Sequence, residues 1–138
     1  MASAKYSIHI HGNLILARTT GEWDLSTDIA YLAEASSAMS AQKGRSFYII
    51  VDMRGWRVTD EVKYATVKDN LVLDRRGQKG ECWLMDSTHQ ANYLLPYFSN
   101  FRFTLDRFTR VDHLKQWAKK HNDIDFDTTL ANWLDKKP

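Results

Sequence analysis

Ser46-Phe47-Tyr48-Ile49-Ile50-Val51-Asp52-Met53-Arg54-Gly55-Trp56-Arg57-Val58-Thr59-Asp60-Glu61 is the stretch whose reading decides the fold. Its apolar run, Phe47 to Val51, lies in a segment, Phe47–Met53, without alternation, as expected of a central strand buried on both faces. The run reaches Asp52, turns at Gly55, and offers a helix start at Thr59 or Asp60. The whole reads as a buried strand, a short surface loop and then a helix. In open α/β sheets, ligands and partners bind at such strand-to-helix junctions.

Upstream, Tyr6, Ile8 and Ile10 alternate with Ser7 and His9, and Gly12-Asn13 supplies a two-residue turn into Leu14–Thr20. Residues 6–20 therefore read as a hairpin ended by Gly21. Asp24 or Ser26 can cap the following helix, whose inward face is expected at Ile29, Leu32, Ala33, Ser36 and Met39. Its small residues let it lie close on a sheet, and Gly44 ends it.

Downstream, Val62, Tyr64, Val67, Leu71 and Leu73 predict a helix over about 60–73, followed by a polar loop at 75–80. Cys82–Met85 reads as a short buried strand. Ser87 or Thr88 then caps a brief helix carrying Ala91, Leu94, Leu95 and Phe98, which Pro96 limits. Phe101, Phe103 and Leu105 alternate as a further strand. Thr109 or Asp112 opens a helix with Val111, Leu114, Trp117 and Ala118 inward, and Asp127–Leu134 forms a last turn or two. The order is ββαβαβαβα, which predicts an α/β fold with a mixed five-stranded sheet and helices packed on it. A single domain spans 1–138, its core at about 6–120 and a C-terminal helical extension at 121–138.

With 138 residues, 43% of them hydrophobic and 26% charged, the chain fits one ordinary globular domain. Its net charge is +2 and the signs are interleaved, so the clustered basic face of a nucleic-acid binder is missing. Arg75-Arg76 with Lys79, Lys119-Lys120-His121 and Lys136-Lys137 read as solvated surface. No apolar stretch approaches the ~18–20 residues of a membrane span. The N-terminus lacks the apolar core of a signal peptide. The lone Cys82 forms no internal disulfide and reads as a buried structural thiol. A cytoplasmic location is the expectation.

Signatures of catalysis are missing. The six glycines never form a phosphate-binding loop, and no G-x-S-x-G elbow occurs. His9 and His11 share a strand face but have no third ligand nearby, so no metal site is expected. Asp60-Glu61 falls where a helix macrodipole favours negative charge, which explains the pair without acid–base chemistry. Trp117 and Trp133 read as core anchors. Trp23 and Trp56 differ, since each lies at a strand-to-helix junction and the two could frame a ligand groove.

The junction and the element order resemble the STAS superfamily, in particular its SpoIIAA-like branch of anti-sigma-factor antagonists and their bacterial relatives. In the antagonists a strand ends in Asp, the loop carries Gly, and an Asp-Ser pair opens the next helix. Asp52, Gly55 and Asp60 occupy the matching places here. Gly21-Glu22-Trp23-Asp24, Val51-Asp52-Met53-Arg54-Gly55-Trp56, and Phe108-Thr109 leading to Leu114 and Trp117 look like the relatives. Where the antagonists carry a phosphorylated serine, this chain has Glu61, and Thr59 is two residues too early. A carboxylate cannot be phosphorylated by that route, though it partly mimics the charge of a phosphoserine.

The resemblance implies a non-catalytic regulatory module without a cofactor. It would bind a protein partner through the loop after the third strand, without the phosphoserine switch. Trp23, Arg54, Trp56, Thr59, Asp60 and Glu61 are the candidate partner- or ligand-binding residues. The alternative is a carrier or sensor of a small apolar molecule or lipid with an aromatic-lined pocket, because SpoIIAA-like folds resemble lipid-binding domains of the CRAL-TRIO type. Exposed edge strands in the hairpin make a homodimer a further expectation.

Overall fold

Seven strands and four α-helices follow one another in a computed structural model that describes residues 5–66, 68 and 71–137. The first strands, β1 (Tyr6–His11) and β2 (Leu14–Thr19), form the expected antiparallel hairpin, with Gly12 at φ +59° in its turn. Strand β3 (Gly21–Trp23) leads into helix α1 (Leu25–Ser40), capped by the Asp24 side chain accepting from Thr27 N at 2.9 Å. Then come β4 (Phe47–Asp52), β5 (Trp56–Val58) and the short α2 (Asp60–Lys63). Strand β6 (Gln78–Leu84), a 3-10 helix (Asn92–Phe98), β7 (Thr104–Phe108), α3 (Val111–Lys120) and α4 (Thr128–Asp135) complete the described chain.

The main sheet runs β1-β2-β4-β6-β7, antiparallel only in its first pair. This is the mixed five-stranded sheet that the sequence predicts. Every residue of β2 and β4 is buried, because both faces of the sheet are covered. Ile15, Ala17, Ile49, Val51 and Trp83 face α1, while Leu14, Leu16, Ile50, Cys82 and Leu84 face α3 and α4. That two-sided burial explains the unbroken apolar runs. The C-terminal segment contributes Ile124, Leu130 and Leu134 to the second core layer. Cys82 is fully buried there, and burial pushes its thiol pKa up.

Several local expectations are corrected. Among the described residues of the predicted 60–73 helix, only Asp60–Lys63 is α-helical, and residues 71–75 run without regular structure (Val67 lies outside the described residues). Strand β6 starts at Gln78, inside the predicted polar loop, since Gln78 and Glu81 are buried with their polar groups paired. The brief helix begins at Asn92 rather than near Ser87, after Ala91 in the left-handed region at φ +62°. The last strand is shifted to Thr104–Phe108, and α3 follows Arg110. Helix α1 is rotated: it buries Asp28, Ala35, Ala38 and Met39, while Ile29 is 45% exposed. A two-stranded parallel sheet, β3 with β5, was not foreseen.

Gly77 sits where the 75–77 turn passes the backbone before β4. A Cβ there would lie 1.8 Å from the Arg45 carbonyl oxygen, and Gly77 O accepts from Phe47 N at 3.0 Å. Gly77→Ala must therefore move main chain at the start of two core strands. We expect a loss of roughly 1–3 kcal/mol in chemical denaturation; an unchanged midpoint would refute the close approach.

Candidate functional site

The β4–β5 loop is built around one buried carboxylate. Asp52, 1% exposed, accepts from Arg18 Nε at 3.0 Å, Arg54 Nε at 3.0 Å, Arg54 Nη2 at 2.9 Å and the Arg54 backbone N–H at 3.2 Å. Arg18 also donates to the Trp133 carbonyl at 2.7 Å and Arg54 to that of Lys136 at 3.0 Å, so both cations satisfy carbonyls at the end of α4. Hydrogen bonding to Asp52 raises the Arg54 pKa. Arg54 thus faces the C-terminal helix.

The other side of the loop is clamped from beyond β6. Gln90 Nε2 donates to the carbonyls of Met53 and Trp56, each at 2.7 Å, and Gly55 N–H donates to Asp86 Oδ2 at 2.6 Å. Gly55 occupies the left-handed region at φ +75°, which lets the chain reverse from β4 into β5. Pairing of β3 with β5 then brings Trp23 and Trp56 together, their rings edge-to-face with centroids 5.4 Å apart.

Both indoles turn inward onto a cavity of about 400 Å³. Helix α1 supplies Leu32, Ala35 and Met39 to its wall, the sheet supplies Ile49, Val51 and Trp83, and further lining comes from Leu71, Val72 and Leu73 and from the 3-10 helix. Such a volume falls in the range of small-molecule pockets, roughly 300–1,000 Å³. Four exposed apolar side chains stand on its lining: Leu71 at 43%, Val72 at 86%, Tyr97 at 48% and Phe101 at 38% exposure.

The charges in the wall occur as pairs. Lys68 Nζ lies 2.9 Å from Asp28 Oδ2, and Arg75 Nη1 lies 3.1 Å from Glu81 Oε1. Glu81 is further held by Gln78 Nε2 at 2.9 Å and Trp83 Nε1 at 2.7 Å. Arg75 sits over Phe98 and Phe101, with its guanidinium carbon 5.2 and 4.9 Å from the ring centroids. Burial, with smaller contributions from nearby carboxylates, raises the pKa of the lining phenols Tyr31 and Tyr93, which keeps both neutral.

The six sequence-derived site residues therefore divide. Trp23 and Trp56 converge on the cavity and are 1% and 7% exposed. Arg54 is engaged with Asp52 on another side of the loop. Asp60 and Glu61 are exposed in the first turn of α2, whereas the Oγ of its cap residue Thr59 is buried and has no hydrogen-bond partner. Sequence reasoning missed Asp28, Lys68, Arg75 and Glu81. The signal available for Asp28 and Glu81 was a charge inside an otherwise apolar helix face or strand. Among the described residues, no group of three or more His, Cys, Asp or Glu could hold a metal ion, and no helix is long and apolar enough to cross a membrane. His11 instead meets the α4 cap Asp127 at 2.8 Å.

No known protein-family profile matches the chain, and no curated protein matches it in sequence. Among solved structures, it resembles an anti-sigma factor antagonist from Mycobacterium paratuberculosis. The TM-score is 0.50 at 11% identity, over 83% of this chain and 92% of the other. The chain has the STAS-like, SpoIIAA-like fold.

Proposed function

We propose that this chain is a non-catalytic regulatory module that binds a protein partner through the outer surface of residues 54–61. The observation carrying this reading is the two-sided construction of that segment. Its inner side is fixed by Asp52, Gln90 and the Trp23–Trp56 contact, which leaves Arg57, Asp60 and Glu61 exposed on a preorganised support. Preorganisation lowers the ordering cost of binding. The structural neighbour, named as an anti-sigma factor antagonist, supports a regulatory role for the module.

The module works without a phosphoserine switch. Glu61 supplies a permanent negative charge in the first turn of α2, and the nearest hydroxyl, on Thr59, is buried. Binding rather than catalysis fits a cavity whose acids and bases are engaged with one another. The test is quantitative affinity capture from the source cells with the native chain and with Arg57→Glu/Asp60→Lys/Glu61→Lys. We expect at least one captured protein to drop about tenfold or more with the triple variant, as loss of complementary charge predicts. An unchanged set of captured proteins would overturn the surface assignment.

A second reading, a carrier or sensor of a small apolar molecule, is favoured by the cavity of about 400 Å³ and its aromatic wall. The two readings share Trp56, which belongs to the loop and also lines the cavity.

A further inference from the structure

We infer that the cavity takes an uncharged amphiphile: an apolar body with one neutral oxygen-bearing end, such as an alcohol, ketone, ester or amide. This rests on the small-molecule reading of the cavity and specifies the ligand class. Two observations carry it. The first is the charge balance of the wall. Lys68 is 2.9 Å from Asp28 and Arg75 is 3.1 Å from Glu81, so each cation already has its anion. A carboxylate or phosphate entering an apolar cavity without a free counter-charge pays the full desolvation penalty, whereas a neutral polar end needs one hydrogen bond.

The second observation is where the unsatisfied polar atoms lie. Buried side-chain atoms without a hydrogen-bond partner include Thr19 Oγ1 and Trp56 Nε1, and both residues line the cavity. The residues are 3% and 7% exposed. Buried orphan groups are rare in native proteins and call for a bound molecule or water. Thr19 ends β2 two residues before Gly21, the register partner of Trp56, so these two groups sit at the loop end of the cavity. An indole N–H can only donate, and a threonine hydroxyl can donate or accept. Either group suits a neutral oxygen. The aromatic and aliphatic wall takes the body, and the exposed Leu71, Val72 and Phe101 form an apolar approach.

The experiment is isothermal titration calorimetry of the whole chain with 1-decanol and with decanoate at neutral pH, below their aggregation limits. Decanol is expected to bind at least about tenfold more tightly than decanoate. Trp56→Phe, which keeps a ring but removes the N–H, is expected to weaken decanol about five- to tenfold. Ala35→Leu adds bulk from α1 into the cavity and is expected to abolish binding of both probes, with an unchanged circular dichroism spectrum. Equal or tighter binding of decanoate would overturn the uncharged class while leaving a small-molecule site in place. Binding of neither probe would overturn the small-molecule reading itself. Full decanol affinity in Trp56→Phe would overturn the polar contact, and full affinity in Ala35→Leu would put the ligand outside this cavity.

Discussion

Asp52→Ala is expected to destabilise the fold by about 3–5 kcal/mol, the cost of breaking a buried ion pair from one side. The carboxylate is 1% exposed and accepts four hydrogen bonds, three of them from the guanidinium groups of Arg18 and Arg54. Removing it leaves two cations side by side. Arg18, 8% exposed, has then lost its only anion. The damage extends further, because the same two arginines bond the Trp133 and Lys136 carbonyls and so tie α4 to the strand ends. Asp52→Asn keeps one acceptor oxygen and is expected to cost less. Urea unfolding measures both. A loss below about 1 kcal/mol for Asp52→Ala would show the site to be as weak as an exposed ion pair. Since domains are stable by only about 5–15 kcal/mol, the expected loss is a large part of the total.

Trp23→Ala is expected to cost a similar amount, about 3–5 kcal/mol, as for other buried aromatic-to-alanine changes. Trp23 is 1% exposed, with Tyr6, Tyr31 and Trp56 around it at centroid distances of 5.9, 5.1 and 5.4 Å. Its Nε1–H donates to the carbonyls of Thr20 and Lys5, at 3.1 and 3.2 Å, and so closes the link between the hairpin and β3. Trp23→Phe keeps part of the packing and is expected to cost roughly 1–3 kcal/mol, through the lost hydrogen bonds and lost volume. Thermal unfolding followed by near-ultraviolet circular dichroism measures both variants. If Trp23→Ala were nearly neutral, the residue would belong to a ligand groove rather than to the packing that shapes it.

Trp23 shows how far the sequence could be read. Its junction position singles it out together with Trp56, and the two rings meet beside the cavity. Its burial was not legible, because the residues that cover it come from β1, α1 and β5. Asp28 presents the same problem on α1. Helical spacing allows either Ile29 or Asp28 to face inward, and hydrophobicity favours Ile29. The helix turns the other way and brings Asp28 to within 2.9 Å of Lys68, a contact forty residues distant in sequence. Gln78 reads as a loop residue and Glu81 falls just outside the Cys82–Met85 strand, since polar groups in a strand appear exposed until their partners are known. Arg75 and Trp83 supply those partners and make β6 longer than its apolar part.

The 60–73 segment failed for a related reason. Its apolar residues recur closely enough to suggest one helix, yet α2 ends at Lys63 and Leu71 to Leu73 line the cavity instead. Local propensity is a weak prior, and tertiary burial overrides it where an apolar surface needs cover.

By itself the sequence determined the mixed five-stranded sheet, the hairpin, a cap at the start of α1, and the junction at Asp52 and Gly55. These depend on periodicity, turn chemistry and capping, which act between near neighbours. Only the tertiary structure decided that Arg54 faces the C-terminal helix while Trp56 faces inward, and that a cavity exists at all. Those features depend on which distant side chains satisfy a buried charge or cover an apolar face, and in three dimensions such partners come from any part of the chain.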